Sequence, residues 1–353
     1  MKLLIVVPSF KILGGVSNHY EGLAPHWKAK IIYSFQGKRP HMSAYLTMIP
    51  DYISFLYKLL RYHPDAVILN PSLARHIVIR DSIYAILANL FKVPVVTFIH
   101  GWIWDYSDIL KAKPNYFLRT FGKSKLFLVL YSGFRQRLKE IGIKSEVRLT
   151  TTKVADDIID NGDSGIVRRK IKTILFLARI EPTKGIYIML DAFNILIKKH
   201  PDLKLIICGT GTAESEVRDY AIKLTNANIE FRGKVSGKTL ISAYNEADVY
   251  VLPTYREGMA TTILEAMAFG LPILSRPVGG VNDFFENGRM GQLLESFAPE
   301  DYANILEQWI ANPQTVSTMS DYNRQFAYRN FKASKVTGKL EAQISNVLNG
   351  QSI

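Results

Sequence analysis

The chain has 353 residues, 48% hydrophobic and 21% charged, which excludes a disordered or fibrous polymer and leaves room for two separate cores. Its formal charge of +13 is uneven: residues 1–165 hold 22 Lys+Arg against 12 Asp+Glu, whereas residues 166–353 hold 22 against 19. A basic half suits an anionic partner (nucleic acid, a membrane surface or a phosphorylated acceptor) or is simply a solubilising surface.

The opening MKLLIVVPSF has only five apolar residues, Leu3 to Val7, before Pro8 and no small-residue cleavage site after them. It predicts a first strand rather than a signal peptide. Gly14 and Gly15 follow that strand and precede a helix predicted from near Ser17. Their backbone can face a phosphate or sugar at a helix start, or form a plain strand-to-helix turn. Ala44 to Pro64 mixes apolar, aromatic and basic residues, with Phe55, Leu59 and Tyr62 at helical spacing. That face fits a lipid headgroup boundary with Lys58 and Arg61 reaching anionic lipid, and it fits a core helix with a basic outer side equally well. Ile83 to Ile99 is broken by Asn89, Lys92 and Pro94, so it predicts a helix, a loop and a strand, and no transmembrane segment is expected.

Short apolar runs alternate with helix-length stretches: LLIVV (3–7), AVILN (66–70), VPVVTFI (93–99) and LFLVLYS (126–132), then TILFLAR (173–179), KLIICG (204–209), IEFRG (229–233), VYVLP (249–253) and PILS (272–275). Continuous apolar strands separated by helices predict parallel sheets covered on both faces. The series restarts near Ile171 after the polar stretch ADDIIDNGDSG (155–165). Two doubly wound, Rossmann-like α/β domains are therefore expected, 1–165 and 166–332, facing across a ligand cleft at the carboxyl ends of their strands. The last stretch, 333–353, has a helical pattern and is expected to pack back on the N-terminal domain. The lone cysteine, Cys208, ends an apolar run, cannot form an intrachain disulfide and points to a reducing, cytoplasmic compartment.

Chemistry concentrates after VYVLP. The loop TYREG carries Glu257, and Glu265 follows about one turn into the next helix. Gly258 permits close backbone approach, while the amides of Met259, Ala260, Thr261 and Thr262 and the positive helix end favour a diphosphate. A carboxylate beside a phosphate site can accept paired hydrogen bonds from sugar hydroxyls. In LARIEPTKG, Arg179 and, five positions on, Lys184 follow a strand, placed to neutralise a diphosphate leaving group or to form a solvated rim. The loop CGTGTAE has Gly209 and Gly211 but Glu214 where a dinucleotide fingerprint wants glycine. In GKVSGKT three residues separate Gly233 from Gly237 where a P-loop has four, so an NTPase is rejected. His100 ends the strand VVTFI, where ligands of parallel sheets bind, although a histidine there can be structural; the other six histidines show no ligand spacing. No Asp-x-Asp pair occurs in a strand-end loop, so no metal is expected.

The segment EGMATTILEAMAFGLPILSRPVGGVNDFFENGRMGQLL resembles the C-terminal signature of retaining GT-B glycosyltransferases, the large family 4 group. It shows two glutamates with seven residues between them, a Glu-Ala-Met-Ala helix, a Gly-x-Pro strand start and a Gly-Gly-x-x-(Asp/Glu) turn. The likeness reaches back to about Ile171. It implies that Glu257 approaches the donor sugar, that Glu265 binds the ribose, and that Arg179 and Lys184 meet the diphosphate. It further implies that the loop of Gly209 and Gly211 lies along the nucleotide and that the backbone of Lys234 and Val235 contacts the base. In the N-terminal half the likeness is fainter and places Gly15 and His100 against the donor. The expected activity is metal-independent, retaining transfer of a hexose-type sugar from a UDP- or GDP-linked donor. The expected acceptor is a saccharide, lipid-linked by charge and analogy, in bacterial surface polysaccharide or glycolipid assembly at the inner membrane face. The rival expectation is a noncatalytic nucleotide-sugar or polyanion-binding protein on the same fold. Nucleic-acid binding lacks any motif, because the aromatics of the basic half lie within apolar strands and helices.

Overall fold

The computed structural model describes residues 1–12, 14–37, 39, 44–161, 170–224 and 228–351. The chain forms two compact units, Met1–Lys153 with Ala333–Ile353, and Val154–Lys332. The charge asymmetry is sharper on these boundaries than on the halves of the sequence. The first unit holds 24 Lys+Arg against 9 Asp+Glu, net +15, and the second 20 against 22, net −2.

In the first unit the elements run β1 (Lys2–Pro8), α1 (Gly15–Leu23), β2 (Lys30–Gln36), α2 (Ala44–Tyr62), β3 (Ala66–Leu69), β4 (Ser72–Leu73), α3 (Arg75–Leu90), β5 (Val95–Ile99), β6 (Gly101–Trp102), α4 (Trp104–Ala112), α5 (Asn115–Thr120), β7 (Leu126–Val129), α6 (Ser132–Ile141) and β8 (Glu146–Leu149). Six strands pair in parallel in the order β2-β1-β3-β5-β7-β8, so the direction of winding reverses between β1 and β3. β3, β5 and β7 are buried along their whole length. That is why they read as unbroken apolar runs, as strands covered on both faces must.

The second unit runs α7 (Asp156–Asn161), β9 (Thr173–Leu177), a short 3-10 turn Pro182–Lys184, α8 (Ile186–Ile197), β10 (Lys204–Cys208), α9 (Glu214–Lys223), β11 (Ile229–Gly233), α10 (Lys238–Glu246), β12 (Val249–Leu252), α11 (Thr261–Ala268), β13 (Ile273–Ser275), β14 (Gly291–Leu293), α12 (Pro299–Ala311) and α13 (Pro313–Asn330). Its sheet is again parallel, ordered β11-β10-β9-β12-β13-β14, with the switch point between β9 and β12. Helix α14 (Ala333–Leu348) returns to the first unit and packs on α1. There Glu341 accepts the amides of Lys28 and Ala29, and Gln343 donates to the Leu149 carbonyl.

The structure corrects one local reading and decides between two others. The polar stretch 155–165 predicts a linker at the domain boundary, but Asp156–Asn161 is helical, with Ile159 buried in the second core; residues 162–165 lie outside the described ones. In α2, where a lipid-facing and a core helix fitted the sequence equally well, Phe55 and Leu59 are buried against the sheet, as the core alternative has it, and Lys58 donates to the Tyr33 carbonyl on β2. The helix is apolar on two sides, and the core takes the one that carries Phe55 and Leu59.

Candidate active site

The switch point of the second unit collects most of the residues singled out in sequence. β9 delivers Ala178 to Gly185, and β12 delivers Pro253 to Ala260, ending on the N-terminus of α11. Gly185 is left-handed, at φ +75°, and a Cβ there would lie 2.1 Å from the Pro253 carbonyl oxygen, so only glycine lets these loops touch. The Tyr255 amide donates to the Thr183 carbonyl across the same junction.

The loops bring Lys184 and Glu257 together. Lys184 Nζ lies 2.6 Å from Glu257 Oε1, the same oxygen that accepts Thr254 Oγ1–H at 3.2 Å. The two side chains retain only 14% and 16% of their exposure. Arg179 behaves differently: its side chain is 70% exposed and pairs with Glu181 two residues on. Both cations border the site, but only Lys184 is fixed in it.

Glu265 projects from the second turn of α11 and accepts a hydrogen bond from the Tyr244 hydroxyl at 2.8 Å. Tyr244 is fully buried, and burial first, then the Glu265 charge, pushes its phenol far above its ordinary range, so it stays a donor at any working pH. Beside it, the buried Tyr250 hydroxyl donates to the Leu177 carbonyl and sits 2.7 Å from Thr262 Oγ1, joining β12, β9 and α11. Met259, Ala260 and Thr261 form the entry to α11, whose first amides lack intrahelical acceptors as in any helix. The Gly280 amide donates to the Gly258 carbonyl, anchoring this entry to the loop after β13.

Gly209, at φ +129°, would place a Cβ 1.9 Å from the Ala178 carbonyl oxygen, and Gly211 would place one 2.1 Å from that of Ile180. The β10 loop therefore lies directly on the β9 loop, and the Gly209 amide donates to Gly233 at the end of β11. Lys234 is exposed and Val235 half-buried just beyond. These residues thus line one edge of the sheet, from β11 to β12.

Gly15 and His100 belong to the first unit, where they flank its own switch point. Gly15 opens α1 with open space at its Cβ position, so a plain turn would not require it. His100 Nε2 is 3.1 Å from Asn70 Oδ1, which also accepts the Tyr20 hydroxyl at 2.8 Å; Asn70 Nδ2 in turn donates to the Val6 carbonyl at the end of β1. His19 packs edge-on to His100 at 5.2 Å, with no hydrogen-bond partner on either ring nitrogen. Burial, then the nearby Lys153 charge, brings His19 down to about 3; burial and His19 lower His100 as well, so both rings are neutral at pH 7.

Thr254, Tyr244, Tyr250, Asn70 and His19 were not legible as site residues. Thr254 and Asn70 directly follow apolar strands, a place where ligands meet parallel sheets, and that was the available signal. The tyrosines read only as core aromatics. Among the described residues, no group of three or more His, Cys, Asp or Glu side chains is disposed to hold a metal.

Two doubly wound parallel domains in one chain, with strand-end loops converging on a helix N-terminus, define a protein of the GT-B fold. Residues 162–326 match the family model of glycosyl transferases group 1. It is 28% identical to the capsular polysaccharide biosynthesis glycosyltransferase CapM of Staphylococcus aureus over 49% of its own length and 46% of CapM, so it spans about half of that relative. An uncharacterized glycosyltransferase of Methanocaldococcus jannaschii is 21% identical over 93% of each chain. The crystal structure of Anabaena HepE in complex with UDP superposes with a TM-score of 0.79 over 98% of this chain and 100% of that one, at 16% identity.

Proposed function

We propose that the protein is a retaining glycosyltransferase that moves a hexose-type sugar from a nucleotide-diphosphate donor to a saccharide acceptor. The observation that carries this reading is the Lys184–Glu257 contact at the β9–β12 switch point, beside the N-terminus of α11. An ammonium, helix amides and a carboxylate in one crevice match the three parts of a nucleotide sugar: leaving diphosphate, developing charge and sugar hydroxyls. In this scheme the bond from the anomeric carbon to the phosphate oxygen breaks, and Lys184 and Arg179 neutralise the charge left on the diphosphate. The acceptor hydroxyl bonds to the same carbon from the same face and gives its proton to the departing phosphate oxygen. Glu257 meets the sugar and Glu265 the ribose. The Gly209–Gly211 loop runs along the nucleotide, and the Lys234 and Val235 backbone meets the base. Gly15 and His100 are assigned to the donor side of the first unit.

UDP is the favoured carrier, because HepE was crystallised with it. The name of CapM and the net +15 of the first unit favour a lipid-linked saccharide of a bacterial surface polymer as acceptor, met at an anionic membrane face from the cytoplasmic side. No helix among the described residues is long and apolar enough to cross a membrane, so such contact would be peripheral.

A thermal-shift series over UDP-, GDP- and ADP-sugars, followed by nucleoside diphosphate release with acceptor, tests the reading. A donor at a hundred times its Kd raises stability by about 2.7 kcal/mol. Binding without release in the presence of acceptor would favour the noncatalytic alternative, and no shift with any donor would defeat both.

A further inference from the structure

Helix α2 carries a second apolar side that the core does not use. Thr47, Asp51, Phe55 and Leu59, four apart, face inward and are buried. On the opposite side Leu46, Ile49, Ile53, Tyr57 and Leu60 follow at intervals of three and four, which aligns them in one stripe. Ile49 is 67% exposed and Ile53 64%. Helix α3 packs against α2 through Tyr84, whose ring meets Tyr52 and Phe55 at 4.8 and 5.0 Å. It bares its own stripe, Ile79, Ile86 and Leu90, at the same kind of spacing. Single exposed apolar residues are ordinary, but two neighbouring helices each baring a stripe are not.

Charge identifies what covers them. Neither helix presents an exposed carboxylate among its described residues: Asp51 and Asp81 are each 1% exposed and paired, to Arg39 and to Arg80. Arg61, Arg75 and Lys92, at or beside the helix ends, are exposed. The unit that bears the surface holds net +15. A second copy of the chain would set two such units against each other, whereas an anionic lipid surface offers apolar depth for the stripes and phosphates for the rim.

We propose that the exposed face of α2 and α3 is a docking surface for an anionic lipid bilayer, with the isoleucine and leucine stripes entering the headgroup boundary and the flanking cations meeting lipid phosphates. It takes its purpose from the lipid-linked acceptor reading, but its test does not depend on sugar transfer. The full chain is sedimented with vesicles of phosphatidylcholine alone and of phosphatidylcholine with one third phosphatidylglycerol, beside an Ile53→Glu/Ile86→Glu variant. The unaltered chain should partition to the anionic vesicles, less so in high salt, and the variant should lose roughly tenfold or more of that partition while melting at the same temperature. The proposal is overturned if the unaltered chain binds anionic and neutral vesicles alike or binds neither, or if the variant binds as well as the unaltered chain. It is equally overturned if sedimentation velocity shows a dimer that the variant dissolves. Donor-induced thermal shift in the same variant separates the two claims: its absence in both proteins would sink the transferase reading and leave the docking surface standing.

Discussion

Lys184 and Glu257, 73 residues apart in sequence, neutralise each other at 2.6 Å where the β9 and β12 loops meet. A half-buried pair of this kind keeps each charge in place until a ligand with the complementary pattern arrives, phosphate for the ammonium and hydroxyls for the carboxylate. Replacing Glu257 with Gln preserves shape and the hydrogen bond from Thr254 but removes the charge. Turnover should fall by about a hundredfold or more, while the melting temperature stays within a few degrees, because the Gln amide oxygen can still accept from Lys184 and Thr254 and leaves the ammonium a partner. Initial rates with a saturating donor, beside a thermal melt, decide it; an unchanged rate would remove Glu257 from the site.

Glu265 has a structural partner as well as a proposed ligand, and the two can be separated. Glu265→Gln retains an oxygen for the Tyr244 hydroxyl, so the fold should hold and donor KM should rise. Glu265→Leu leaves that buried hydroxyl only the longer 3.4 Å contact to the Thr262 carbonyl and should cost about 1–3 kcal/mol of stability besides. Denaturant unfolding of both variants gives the stability difference, and donor titration gives the affinity. Equal stability of the two would mean that the Tyr244 contact contributes nothing.

How far the sequence reveals this depends on burial. β3, β5, β7 and β12 are buried throughout and stand out as runs of Val, Ile, Leu and Phe. In the two six-stranded sheets the strands that do not stand out are β2, β8 and β14, all at sheet edges, where KIIYSFQ and EVRL carry charged or polar residues within the strand; the two-residue β4 and β6 are too short to leave a pattern. Glu257, Glu265, Arg179 and Lys184 were legible because charge at a strand end is conspicuous. Which cation meets which carboxylate was not, since the Lys184–Glu257 pairing depends on the order β9-β12 in space. The two readings of α2 stay open in sequence for a related reason: helical spacing marks both apolar sides of that helix, and only packing says which one the sheet covers.

The glycine contacts give a prediction about the scaffold. Gly185→Ala must hold a Cβ at φ +75° within 2.1 Å of the Pro253 carbonyl oxygen. Backbone strain and overpacking together should cost about 2–4 kcal/mol, and the β9 and β12 loops should separate. Donor affinity would fall with stability. Gly15→Ala, with open space at that position, should melt like the unaltered protein. A Gly185→Ala variant as stable as Gly15→Ala would contradict the tight junction.

His19 makes the stability of the first unit depend on acid. Its folded value lies near 3 and its ordinary one at 6.5, so between those pH values the unfolded chain holds a proton that the folded chain excludes. Stability is therefore full above pH 6.5 and drains as pH falls toward 3, by about 2 kcal/mol at pH 5 from this residue alone. The groups around the ring, Tyr20, Phe98, His100 and Lys153, offer no carboxylate to reward protonation, and Lys153 opposes it. Because neither ring nitrogen has a hydrogen-bond partner, His19→Phe should fit the same aromatic pocket, match or exceed the unaltered stability at pH 7.5, and lose less of it at pH 5. The slope should shrink without vanishing, since His100 is lowered too and still titrates. Thermal melts of both proteins from pH 7.5 to pH 5 measure the two slopes, and parallel curves would show that His19 is not the group that senses acid.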